Sequence, residues 1–296
     1  MMRTPNALAI AIRKEDGEIL VKKELLPSRH LLLKKPISRG AIALWEALVI
    51  GYKSLAFSAQ KSARKGEKEM SGLALGFTMI FAIGLAILFF ILLPATVTNL
   101  FQIKSSILFN LVDGLIRLLF FFGYLLAISQ LKDVKRLFAY HGAEHKAVYT
   151  YEAGEDLTIE NASDKSTLHP RCGTNFIFIF LILSILLFSL LGRATSIEVH
   201  LLRLCLIPII AAFAYEIIRF SMKKNWYFIN FLGLQLQKIT TREPTDDQIE
   251  VALVALKEVL DAESQRVNTE TQTPLGAENN SASLRQKIQR LGGKRC

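Results

Sequence analysis

Leu73 to Val97 reads LALGFTMIFAIGLAILFFILLPATV and contains no charged residue. On an α-helix, about 20 predominantly apolar residues cross the hydrocarbon core of a bilayer. This stretch therefore predicts a membrane-spanning helix, and the same reading extends outward to three more. Ile107 to Ser129 is apolar apart from Asp113 and Arg117, Phe176 to Leu191 is a shorter apolar run, and Val199 to Phe220 carries His200, Arg203, Glu216 and Arg219. The fold class predicted is mainly α: a polytopic integral membrane protein with about four transmembrane helices.

Residues before and after these spans read differently. Met1 to Leu25 contains ALAIAIR and ILVKKE around an Asp16-Gly17 turn, which is a small N-terminal β-hairpin. From Ile37 to Ala63 the chain is apolar but interrupted by Arg39, Glu46, Lys53 and Gln60 at intervals of seven, close to two helical turns. That polar stripe predicts an amphipathic interfacial helix, with packing on other protein as the alternative. After Pro244, Thr245 to Glu263 places Ile249, Ala252, Leu253, Leu256 and Leu260 on one face of a cytoplasmic C-terminal helix, with Thr245 and Gln248 as a capping box. From Ser264 to Cys296 the composition is that of a disordered tail. The organisation expected is 1–35 hairpin region, 36–71 interfacial helix and basic linker, 72–129 spans one and two, 130–175 a loop, 176–221 spans three and four, 222–263 the C-terminal helix region, and 264–296 tail.

The 296 residues carry a formal charge of +10. Lys61, Arg64, Lys65 and Lys68 precede the first span; Lys132, Lys135, Arg136, Lys146, Lys165 and Arg171 fill the middle loop; Lys223 and Lys224 follow the fourth span. The alternate intervals hold only Lys104 and Arg193. By the positive-inside rule, both termini and the middle loop are expected in the cytoplasm, in the cell's inner (cytoplasmic) membrane, with anionic headgroups on that side as the lipid partner. Basic residues placed beside apolar runs argue against nucleic acid as the partner, and the pattern leaves a homo-oligomer open. The apolar run Ala7 to Ile12 is short and followed by charge, so no cleavable signal peptide is expected. Cysteines 172, 205 and 296 have no disulfide-framework spacing.

The middle loop carries the chemistry. His141, Glu144 and His145 match H-x-x-E-H, which on a helix puts two imidazoles on one face and a carboxylate beside them. His169 and Cys172, in HPRCG, close the same loop just before the third span. Metal ligands are expected among His141, His145, His169 and Cys172, with a divalent cation of the zinc class as cofactor and Glu144 as the catalytic base. Glu152, Arg171, Glu216 and Arg219 are expected around them, Arg219 holding Glu216 or a substrate anion. A G-x-S-x-G elbow, a P-loop and a dinucleotide fingerprint are all missing from the sequence. Two functions fit: a membrane-embedded metal-dependent hydrolase, or a non-catalytic membrane scaffold whose metal pins the middle loop.

Five stretches, MMRTPNALAIAIRKEDGEI, FAYHGAEHKAVYTYEAGEDLT, LHPRCGTNF, AYEIIR and LQKITTREPTDDQIEVALVALKEVL, resemble the YqhQ-type bacterial membrane proteins, a family grouped under a domain of unknown function. The resemblance runs from Met1 to about Leu260 and implies a metal-dependent enzyme. It also implies a Gly-Gly-Gln-Ala-Val-x-Glu-Gly-Val-Met stretch before Met-Met-Arg, whereas the sequence opens on Met1-Met2-Arg3. Either the start was assigned late or this element is lacking.

Overall fold

The computed structural model describes residues 1–27, 36–61, 72–170, 172–191, 197–224 and 227–272. Its elements are, in order, β1 (Met2–Arg3), β2 (Ala7–Arg13), β3 (Ile19–Leu25), α1 (Pro36–Lys61), α2 (Gly72–Ile87), a π-helical turn (Leu88–Leu92), α3 (Leu93–Leu100), α4 (Ser106–Ile128), α5 (Lys132–Ala153), α6 (Ile159–Ser163), α7 (Thr174–Leu190), α8 (Ile197–Lys224), α9 (Tyr227–Thr240) and α10 (Asp246–Gln272).

Among the described residues, four helical stretches are long and apolar enough to cross a membrane: Arg39–Ser58, Gly76–Leu100, Ser106–Ile128 and Leu201–Ser221. The number matches the expectation but the membership does not. The expected third span is the shorter apolar helix α7, and its place in the count is taken by the expected interfacial helix, α1. α1 packs along α8, so a helix resting on other protein describes it at that end. The backbone of α8 comes so near there that a Cβ on Gly40 would lie 2.6 Å from Ala212 Cα.

The hairpin forms as expected, with β2 and β3 antiparallel and Arg13 opposite Ile19, and β1 adds a short third strand. Its loop runs through Gly17 at φ +86°, a left-handed conformation that glycine adopts without a Cβ clash. Alternation along β2 sends Leu8, Ile10 and Ile12 to one face, where Leu26, Ile50 and Phe57 cover them. Ala7 and Ala9 go to the other face and join Ala143 and Ala147 of α5 and Ile249, Ala252, Ala255 and Val259 of α10. Small side chains at these crossings let two helices and a sheet approach closely. The layer is then tied at its rim: Arg13 Nη2 donates to Glu250 at 2.5 Å, and Thr4 Oγ1 and Asn6 Nδ2 each donate to Glu263 at 2.7 Å.

Three further expectations change. The middle loop is mostly the 22-residue helix α5, followed by the short α6. An additional helix, α9, lies between the last span and the C-terminal helix and packs on α7. α10 does not end at Glu263 but continues to Gln272, so the expected disordered tail is helical over its first nine residues. Sequence composition missed this because Arg266 makes a tertiary contact, its Nη1 donating to the carbonyls of Asn6 and Leu26. Residues 273–296 lie outside the described residues.

Candidate metal centre

α5 supplies the foundation of the site. It ends at Gly154 (φ +71°), whose N–H donates to Tyr151 O at 3.1 Å while Glu155 N–H donates to Thr150 O at 3.2 Å, a left-handed C-terminal cap. Within the helix His141 and His145 project one turn apart, their ring centroids 4.4 Å from each other. Gly142, between them, is a crossing point: a Cβ there would lie 2.2 Å from the carbonyl oxygen of Arg242, whose N–H donates to Phe138 O at 3.0 Å. The glycine thus admits the α9–α10 connection against the site helix.

The two imidazoles are held alike. His141 Nδ1 lies 2.8 Å from Thr240 O and His145 Nδ1 lies 2.5 Å from Thr167 O. A carbonyl only accepts, so each Nδ1 carries a proton and Nε2 is the nitrogen whose lone pair a metal would take in the deprotonated ring. His141 Nε2 lies 3.2 Å from Cys172 Sγ, and one ligand atom from each of His141, His145 and Cys172 falls within 4.8 Å of the others. Tetrahedral zinc with bonds of ~2.0–2.3 Å needs ligand atoms about 3.3–3.8 Å apart, so a small closure of this trio fits such an ion.

Cys172 is carried by a turn in which its N–H donates to His169 O at 3.2 Å, and Thr174 Oγ1 donates to its Sγ at 3.3 Å. Burial opposes ionisation of the thiol. The hydrogen bonds with His141, His145 and Thr174 and the charge on His141 outweigh it, and bring the pKa down from 9.0 to about 5. Burial likewise acts to lower His141, but the hydrogen bond to Cys172, the charge there, the Thr240 carbonyl and the charge of Glu144 leave it above the ordinary 6.5. A thiolate of low pKa is the form that binds metal.

His169 stands beside the trio rather than within it. Its ring centroid is 5.8 Å from that of His145 and 4.5 Å from that of Tyr149, and its Nε2 lies 3.3 Å from Glu152 Oε2. Glu144 points elsewhere, its carboxylate accepting from the amino group of Met1. Glu216 is held by Arg39 of α1, whose Nε donates at 2.5 Å, and not by Arg219 as expected. Arg39 lies 177 residues away, and nothing in local spacing identified it. Arg219, half-buried, makes no ion pair among the described residues. Arg171 lies outside the described residues.

Sequence reasoning missed the groups that hold the site together. Gln237, fully buried on α9, accepts from His169 N–H at 2.8 Å through Oε1 and donates from Nε2 to His169 O at 2.8 Å and Asn175 Oδ1 at 3.2 Å. Asn175 in turn donates to Pro170 O at 2.7 Å. An apolar helix carrying two glutamines, Gln235 and Gln237, was the available signal.

Compared with known proteins, residues 35–262 match the family described as "Protein of unknown function (DUF1385)". The chain is 31% identical over 280 residues to "Uncharacterized protein YqhQ" of Bacillus subtilis (strain 168), covering 86% of this chain and 87% of that protein. No solved structure matches.

Proposed function

The chain belongs to the DUF1385 family, and from the geometry of its His141, His145 and Cys172 cluster we propose a metal-dependent hydrolase working at the cytoplasmic face of the cell's inner membrane. One observation carries the reading: both histidines commit Nδ1–H to a backbone carbonyl, which aims two Nε2 lone pairs toward one thiolate. Imidazoles oriented in this way are characteristic of metal ligands. Among the described residues three protein ligands come together, the number found in catalytic shells that keep an exchangeable position.

In this reading His141, His145 and Cys172 hold a divalent cation of the zinc class, which supplies Lewis acidity for attack on an ester or amide. Thr174 steadies the thiolate through its hydroxyl, and Gln237 fixes the turn from His169 to Asn175 that delivers it. Glu144 serves as the base only once its carboxylate turns from the Met1 amino group toward the cluster. It precedes His145 by one residue, its charge acts on His141, and about a third of its side chain is exposed.

A second reading, a membrane scaffold with a closed structural site, is favoured by one observation. His169 supplies a further imidazole beside His145, their ring centroids 5.8 Å apart.

Metal analysis of the detergent-purified protein tests both. Wild type is expected to retain about one metal per chain, and His141→Ala, His145→Ala and Cys172→Ser to lose it. His30→Ala and His200→Ala serve as controls that retain it. Glu144→Gln should keep the metal and abolish hydrolysis of ester and peptide substrates, because an amide cannot accept a proton from water. A wild-type protein that holds no metal and takes up none from zinc, manganese or iron overturns the proposal. Loss of metal in His169→Ala favours the closed, structural site.

A further inference from the structure

One packed cluster joins Met2, Ala7 and Ala9 of the sheet, Ala143 and Ala147 of α5, Ala162 of α6, and Ile249, Ala252 and Val259 of α10. A bilayer cannot pass through such a cluster, so all four segments lie on one side of it. The chain must then cross an even number of times between Ala9 and Ala143, and again between Ala162 and Ile249. The first interval holds three helical stretches long and apolar enough to cross, Arg39–Ser58, Gly76–Leu100 and Ser106–Ile128, and an odd number cannot be right. The second holds one such stretch, Leu201–Ser221, and the shorter α7. If α8 crosses, α7 crosses with it, although 17 residues of helix reach only about 25 Å. Local thinning of the bilayer accommodates a span of that length at modest cost.

Contacts identify α1 as the stretch that does not cross. Leu26, which precedes α1, and Ile50 and Phe57, in its second half, cover the same sheet face, Leu8, Ile10 and Ile12. Arg3 pairs with Glu46, and Lys22 Nζ sits 5.2 Å from the Phe57 ring centroid. At its other end α1 meets Ala212, Tyr215 and Glu216, in the half of α8 that leads to α9 and α10. Ala212 is near the middle of Leu201–Ser221, so α1 starts no deeper than mid-bilayer and runs back to the sheet, and both of its ends are reached from one side.

Its two faces then differ in what they meet. Trp45, Leu48, Tyr52 and Leu55 are each more than half exposed. At ~100° per residue these four form one stripe, and Glu46, Ile50, Ser54 and Phe57, which hold the sheet, form the opposite one. Trp and Tyr favour the headgroup boundary. Exposed Lys53 lies on the flank of the stripe, and the basic run Arg64, Lys65 and Lys68, which follows α1 in sequence, complements an anionic surface.

We propose that α1 runs obliquely through one anionic leaflet, from the middle of α8 back to the sheet, with its Trp45, Leu48, Tyr52 and Leu55 stripe toward lipid, and that α2–α3, α4, α7 and α8 make four crossings. α1 thereby seats the sheet, α5 and α10, with the histidine–cysteine cluster, on that leaflet.

Sites for a sequence-specific protease inserted in the full chain at 28–35, 62–71, 101–105 and 155–157 test the topology in right-side-out and inside-out vesicles. Sites at 28–35, 62–71 and 155–157 should be cut from one face and the site at 101–105 from the other. Cleavage of 28–35 and 62–71 from opposite faces overturns the proposal. The Trp226→Phe protein, which leaves Trp45 as its only tryptophan, tests the occupant after reconstitution into vesicles rich in phosphatidylglycerol. Bromine placed high on the acyl chains should quench Trp45 emission more than bromine near their ends. Stronger quenching by the deep bromine means a crossing helix, and no quenching from either position means that a second copy of the chain covers the stripe. Either result overturns the proposal.

Discussion

Cys172 and His141 share a proton across 3.2 Å, and each shifts the other. In metal-free protein the thiol should ionise with a midpoint near 5, read as the ultraviolet thiolate absorbance that Cys172→Ser removes. Replacing His141 by Ala should move the midpoint upward toward 9.0, since the largest favourable contact of the thiolate is gone while burial remains. The sign for stability follows from the depressed value. The thiolate's contribution is full above the unfolded value of 9.0, and is lost as pH falls through about 5. A wild-type midpoint near 9.0 would show that the imidazole and thiol do not meet. At this scale His141, His145 and Cys172 were legible because side-chain chemistry and spacing are written in the residues. The carbonyls of Thr167 and Thr240, which orient the rings, were not, because every residue has one.

Elements were legible wherever their apolar pattern was long, and their ends were not. α10 shows why. Its apolar face fades near Glu263, yet Arg266 one turn later reaches the carbonyls of Asn6 and Leu26 and keeps the helix on the sheet. Truncation after Gln272 should leave the detergent melting transition unchanged, whereas truncation after Glu263 should cost about 1–2 kcal/mol, the worth of a charged donor to partly buried carbonyls. Arg266→Ala alone should reproduce most of that loss. Equal melting temperatures for the two truncations would mean that the last turns of α10 add nothing.

Across the whole molecule, the π turn, α4 and α8 are linked by polar groups inside the apolar bundle. Arg117 Nε donates to Asp113 Oδ2 at 2.7 Å, its Nη1 donates to Phe90 O in the π turn at 2.8 Å, and Arg203 Nη2 donates to Asn110 Oδ1 at 3.2 Å. Asp113 and Arg117, four residues apart, pair on one face of α4, and the carboxylate is buried. Asp113→Asn should destabilise the detergent-solubilised protein by about 3 kcal/mol, because it strands the guanidinium beside a neutral partner. The double variant Asp113→Asn, Arg117→Met should recover part of the loss, measured by thermal unfolding. A double variant no more stable than Asp113→Asn would locate the cost in packing rather than in charge.

What the sequence by itself determined follows from local physics. Apolar length in Leu73 to Val97 and its companions set a helical membrane protein, period-two alternation set the hairpin, and an i, i+4 pair of histidines set one face of the candidate metal site. These depend on residues within a few turns of each other. Tertiary structure alone decided which histidines meet Cys172, that Glu216 answers Arg39 across 177 positions, and that the sheet packs on α5 and α10. Those pairings are chosen by packing between segments far apart in the chain, where small residues such as Gly142, Ala143 and Ala147 admit close approach, and no local period records them.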